Sequence, residues 1–251
     1  MSIAPASPVA KQQQHFHCRE IDDTPALLDQ SFALRYQVYC LERGFLNPAH
    51  YPEQRETDAF DAHALHFGTT NLQGEVVGTA RLVQRSSVGF PLFGRCTIFP
   101  GETEIDRPEH TVVEVSRLSV SRKKYRRHKE DGAHGGQGTP PPAHIARERR
   151  GGHAECGGEL IVSLYKALYQ ASKRRGITHW LAATEQSLYR LLGKYAFPLR
   201  PIGPEIDYFG PVAPYLMDVR EFDQVILSGT RPRLDDFLVG LEPRFRPVLR
   251  Q

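Results

Sequence analysis

The sequence predicts a mixed α/β (α+β) domain, one central sheet with helices packed against it. Three observations carry this. Residues 111–120, TVVEVSRLSV, form a long β-branched run with alternating character. Amphipathic helical segments flank it in the order helix, strands, helix, strand, helix, strands. With 251 residues, 40% of them hydrophobic and 24% charged, the chain can bury one large core, which excludes wholesale disorder and collagen-like repeats.

Residues 1–24 read as a polar arm. Thr24 is a natural N-cap with Pro25 at the first helical position, and Leu27, Leu28, Phe32, Leu34, Tyr36, Val38 and Leu41 mark an amphipathic helix that Gly44 ends. A proline-containing loop, 47–58, leads to candidate strands at 63–68 and 76–83, with Gly74 in the turn between them. After the strand at 111–120, residues 121–158 hold a basic run, four histidines, four glycines before residue 139 and three consecutive prolines, and read as a flexible insertion. Helix is expected from Glu159 on the face Leu160, Ile161, Leu164, Leu168 and Ala171, closed by Gly176. A buried strand at 177–184, a helix at 186–195, strands near 206–210 and 211–219, and a coil-rich tail over 223–251 complete the expectation. The main domain is thereby bounded at 25–222.

The net charge of +3 is unevenly placed. Between Arg122 and Arg150, nine basic residues face three acidic ones, which gives +6 locally and leaves −3 for the rest. Lys123, Lys124, Arg126 and Arg127 are therefore candidates for docking an acidic partner; with only Tyr125 interleaved, the run is no stacking platform, and nucleic acid is not expected. Cys18, Cys40, Cys96 and Cys156 lack any CxxC spacing, and His128, His134, His144 and His153 match no ligand pattern, so neither a disulfide framework nor a metal site is expected. No window approaches the roughly 18 apolar residues of a membrane span, and a cytoplasmic protein is the expectation. GxGxxG, Walker, HExxH and GxSxG patterns are absent, leaving nucleotide-cofactor and nucleophilic-serine chemistry without local support.

Charge is concentrated where a sheet protein should bury apolar groups. Arg35 lies in the first helix, Asp58 and Asp61 in ETDAFD, Arg81 inside a strand, and Glu114, Ser116 and Arg117 in the strand VVEVSRLSV. Any one of them reads as half of a surface ion pair. Three arginines and three acids in apolar segments read instead as a paired, functional array. Period-two alternation puts Glu114 and Arg117 on opposite faces unless a bulge re-aims one of them.

The pattern Phe32-x-x-Arg35-x-x-Val38-Tyr39, then Glu56-x-Asp58-x-Phe60-Asp61, then Arg81-Leu82, then Glu114-x-Ser116-Arg117-Leu118-x-Val120 resembles the acyl-homoserine-lactone synthases and N-acyl amino acid synthases. It is most similar to the acyltransferases associated with PEP-CTERM/exosortase systems. Gly210-Pro-Val-Ala-Pro-Tyr-Leu-Met-Asp looks like the latter two branches. The resemblance spans about residues 25–220 and implies a GNAT-like fold and transfer of a fatty acyl group from acyl carrier protein, or from CoA, to a small amine, with no tightly bound cofactor. Phe45, where lactone synthases have tryptophan, and the long basic insertion depart from the lactone branch.

On this reading Glu114 is the base, with Arg117 beside it. Backbone N–H groups of the same strand and of its neighbour near 180–183 would hold the oxyanion. Arg35, Arg81, Asp58, Asp61 and Ser116 would order the amino-terminal segment and orient the acceptor. Phe32, Leu118, Leu181 and Leu188 would line an acyl pocket. Two rivals stand beside it. One is a CoA-dependent acetyltransferase using the R-x-x-G-x-A string Arg149, Gly152 and Ala154; the other is a non-catalytic binding module.

Overall fold

A computed structural model describes residues 16–121, 143–208, 210–229 and 232–248. Among the described residues, eight strands form one sheet: β1 (His17–Glu20), β2 (Ala64–Thr70), β3 (Val76–Gln84), β4 (Val112–Val120), β5 (His179–Glu185), β6 (Arg200–Pro201), β7 (Ile206–Asp207) and β8 (Pro211–Asp218). Their order is β1-β2-β3-β4-β5-β8-β6, with β7 also on β8. All neighbours are antiparallel except β4 and β5, which run parallel.

Helix α1 (Pro25–Tyr36) starts at Thr24 and Pro25 as the sequence predicts, and runs on into a π-helical segment, Gln37–Glu42, before Gly44 stops the chain at φ 64°. This helical unit lies on one face of the sheet, where Leu34 and Val38 pack on Val76. Beside it the same face is covered by Phe90, Leu92, Cys96 and Ile105 over Val83, Val112, Leu181 and Leu216. Helices α2 (Ala143–Arg175), α3 (Gln186–Lys194), α4 (Val219–Ser228) and α5 (Pro232–Leu238) contribute to the core of the other face. There Trp180, Phe197, Phe222 and Phe237 form an aromatic cluster, with Phe197 and Phe222 stacked at 4.2 Å.

Four expectations are corrected. The amino-terminal arm contains β1, whose pairing with β2 was invisible because HCRE carries no hydrophobic alternation. The helix expected from Glu159 begins at Ala143. Alanine, arginine and glutamate in AHIARERR favour helix, and propagation from the packed half carries it through the glycines. The supposed tail is core: α4 and α5 bury Phe222, Ile226, Leu234 and Phe237, and Phe245 is also buried. The short strand expected near 206–210 spans only Ile206–Asp207. Among the described residues, no helix is long and apolar enough to cross a membrane.

Phe237 is fully buried against Phe222 and Tyr169. Phe237→Ala is expected to cost about 3–5 kcal/mol in urea unfolding. A loss below about 1 kcal/mol would place residues 232–238 outside the core.

Candidate active site

Arg35 and Arg81 are each 1% exposed, and Glu56 is fully buried. Such charges persist in a protein interior only when paired. Arg35 donates from Nε to Glu56 at 2.5 Å and forks onto Asp61 at 2.7 and 3.0 Å. Arg81 forks onto Asp58 at 2.6 and 2.8 Å, reaches Asp61 at 2.5 Å, and donates from Nε to the Ser116 hydroxyl at 3.0 Å. Arg117 donates to Glu56 at 2.9 Å and to Asp58 at 2.9 Å. Three guanidiniums thus share three carboxylates in a closed ring of forked, charge-assisted bonds. Local sequence shapes it: the i, i+3 spacing lets Asp61 cap the Asp58 N–H at 2.8 Å, and the Phe32 carbonyl accepts the Glu56 N–H at 3.1 Å.

The strand β4 reaches the ring through a bulge. Its register with β3 jumps from Arg81–Ser116 to Thr79–Ser119, so β4 contains one more residue than β3 there. Arg117 occupies the extra position at φ 52°, a left-handed conformation that costs a non-glycine residue about 1 kcal/mol. The kink turns Arg117 to the face that holds Glu114, Ser116 and Arg81, as the alternation argument required. Tyr39, from the π segment, stacks 5.4 Å from the Arg117 guanidinium and donates to the Leu118 carbonyl at 3.2 Å.

Pairing between β4 and β5 covers only Val112–His179, Val113–Trp180 and Glu114–Leu181; beyond Glu114 the two strands part. Glu114, 3% exposed, stands at that fork and accepts the Leu92 N–H at 2.8 Å. Burial pushes its carboxyl up to about 8, against the Leu92 hydrogen bond and the attraction of Arg81 and Arg117. Asp58 and Asp61 go the other way. Burial opposes ionisation there too, but the hydrogen bonds and charge of Arg81 hold Asp58 below the usual carboxylate range, and those of His66 and Arg35 do the same for Asp61.

Sequence reasoning assigned no role to Glu56, though the acidic run contained it, and missed His66 and Asp22. His66 places Nδ1 2.7 Å from Asp22 and Nε2 3.1 Å from Asp61, and it opposes Arg81 across β2 and β3. Burial lowers its affinity for a proton, but the two carboxylates outweigh that and raise its pKa. Only a strand register could have revealed it. Phe32 packs edge-on against His66 at 5.6 Å and lies 5.2 Å from the Arg35 guanidinium, so it walls the ring rather than the β4–β5 fork. Leu181 is fully buried core, while Leu118 and Leu188 are partly buried against the main cluster. Lys123, Lys124, Arg126 and Arg127 lie outside the described residues.

Arg35→Ala, which takes away one of the two arginines that pair with buried Glu56 and one of the two that pair with Asp61, is expected to destabilise by about 3–5 kcal/mol. The acid limb of the stability profile follows Asp58 and Asp61: their contribution is present above the ordinary aspartate value of 3.8 and is lost as pH falls through their depressed folded values. The alkaline limb follows His66. Its contribution is complete below 6.5 and is lost as pH rises through its raised folded value, so urea midpoints of His66→Gln should vary less with pH above 6.5 than those of wild type. Equal slopes for the two proteins would remove His66 from the ring's energetics.

Residues 34–131, which contain every member of the ring except Asp22, match the family model described as an acetyltransferase (GNAT) domain. No curated protein sequence matches the chain. Among solved structures, the CoA-dependent acyl-homoserine lactone synthase BjaI, bound to SAM and isopentyl-CoA, superposes with a TM-score of 0.56 at 18% identity. That match covers 87% of this chain and 90% of BjaI. The N-acyl amino acid synthase FeeM from uncultured soil microbes gives 0.55 at 14% identity, over 83% of this chain and 93% of FeeM. The acyl-homoserine lactone synthase LasI gives 0.53 at 15%, over 81% and 89%. Likeness at such identities is one of fold. Joined to the match of residues 34–131 to an acetyltransferase (GNAT) domain, it gives the chain a GNAT-like fold, of the kind seen in those acyl-homoserine lactone and N-acyl amino acid synthases.

Proposed function

We propose that this enzyme moves a long-chain fatty acyl group from a carrier thioester, acyl carrier protein or CoA, to the amine of a small acceptor such as an amino acid. The observation that carries the reading is Glu114, a buried carboxyl with its pKa raised to about 8 at the point where β4 and β5 separate. The fork frees main-chain N–H groups from the ladder, and such donors suit a thioester oxyanion. In its ionised form Glu114 takes a proton from the attacking amine. The amine nitrogen bonds to the acyl carbon, the tetrahedral intermediate expels the thiolate, and a proton returns to sulfur, giving amide and free thiol. No covalent enzyme intermediate is needed.

Arg117 and Ser116 lie next along the same strand, where they orient the acceptor's polar end. The ring behind them, Arg35, Arg81, Asp58 and Asp61, holds that edge fixed. Lys123, Lys124, Arg126 and Arg127 supply positive charge for an acidic carrier protein. The R-x-x-G-x-A string at 149–154 falls inside α2, where main-chain N–H groups are spent on the helix, so it does not support a CoA pyrophosphate loop. FeeM, by its description an N-acyl amino acid synthase, shares the fold and supports an amino acid acceptor.

Lipid extracts of cells expressing wild type are expected to contain N-acylated amines absent with Glu114→Gln, and mass spectrometry would name both chain and acceptor. In vitro, Glu114→Gln should slow thioester consumption by about 10²–10⁴-fold. Wild-type kcat/KM should rise with pH to a plateau above about 8. Reversing charge at Lys123, Lys124, Arg126 and Arg127 should raise KM for acyl carrier protein and leave kcat unchanged. Equal turnover by Glu114→Gln and wild type would sink the mechanism.

A further inference from the structure

A second group of ionisable side chains, unused by acyl transfer, sits where β4 and β5 begin, at the end of the sheet away from their fork. Glu104 lies in the 3-10 turn Glu104–Asp106, His110 just ahead of β4, and His179 opens β5. One potential ligand atom from each lies within 4.8 Å of the other two. The imidazoles of His110 and His179 stack, with centroids 3.9 Å apart and planes tilted by 34°.

Hydrogen bonds fix both tautomers. The Nδ1 of His110 is 2.7 Å from the Glu104 carbonyl, an acceptor only, so this nitrogen carries the proton. The Thr178 hydroxyl gives its one proton to the Thr111 carbonyl at 3.3 Å, so it accepts from His179 Nδ1 at 2.9 Å. Each ring, when neutral, therefore presents its Nε2 lone pair away from the backbone. The Nε2 of His179 faces Asp218 Oδ2 at 3.6 Å. Backbone and hydroxyl contacts at Nδ1 are the usual outer support of metal-binding histidines.

We propose that Glu104, His110 and His179 form a zinc site, with Asp218 beside it as the fourth donor. Two imidazole nitrogens and carboxylate oxygens suit Zn²⁺ in tetrahedral geometry. The carboxylates are now held by Arg107, 2.6 Å from Glu104, and by Arg220, 2.8 Å from Asp218. Both arginines are about half exposed and can swing into water when the ion takes over their charge. The ion would tie the 3-10 turn at 104–106 to the start of β5 and the end of β8, a structural clamp separate from catalysis.

The test uses the full chain, stripped with chelator and titrated with Zn²⁺ by calorimetry and with Co²⁺ by visible absorption. Wild type should take up zinc at this site, show the intense d–d bands of tetrahedral cobalt, and melt at higher temperature as zinc is added. Glu104→Gln changes a partly exposed side chain, and His110→Gln keeps a polar amide at a side chain that is only 4% exposed. Both should retain wild-type circular dichroism and acyl transfer, lose the cobalt bands, and bind zinc at least about 100-fold more weakly at this site. No zinc uptake by folded wild type overturns the proposal. So do wild-type zinc and cobalt signals in either variant, since metal held by other histidines would survive these substitutions.

Discussion

The buried carboxylate of Glu56 is the constraint on which the site depends. It has no exposure to water, so its charge must be answered inside the protein, and it is answered from two sides, by Arg35 of α1 and Arg117 of β4. Those bonds tie a helix near the start of the chain to the middle strand of the sheet. Asp58 and Asp61 then extend the ring to Arg81, and His66 with Asp22 closes its outer side. Removing one member leaves an unmatched charge in low dielectric, which makes the ring rigid as a unit.

The same few strands hold carboxyls in two opposed electrostatic states. Asp58 and Asp61 sit among guanidiniums and stay ionised; Glu114, on the same face, meets one backbone N–H and apolar neighbours such as Leu92 and is pushed toward the neutral acid. Acids whose environments separate their proton affinities in this way divide into structural charges and proton carriers. The ring supplies the first kind and thereby fixes the strand that presents the second.

Much of this was legible in the sequence, because charges embedded in apolar, β-branched runs have few outlets other than one another. The strand at 111–120, the helix from Pro25 and the arginine–acid set followed from local pattern. His66 did not, since its significance lies in facing Arg81 across a register that no local rule supplies. Strand β1 was hidden for a similar reason: a four-residue polar strand is specified by its partner β2 rather than by its own composition. Helices α4 and α5 looked like tail because each is short, and their apolar residues gain meaning only from the aromatic cluster they complete around Phe197. The bulge at Arg117 was inferable only as a condition, that Glu114 and Arg117 should share a face.

That bulge sets two demands on one position that no amino acid meets together. The backbone at 117 favours glycine, while the ring needs a forked cation on a long stem. Glycine would relieve the main chain and leave Glu56 with one arginine fewer; lysine would keep the charge, lose the fork and keep the strain. Sequence drift at this position therefore has no smooth path, and stability gained there comes at the expense of the geometry beside the fork, a local conflict between robustness and chemistry fixed by a single dihedral angle.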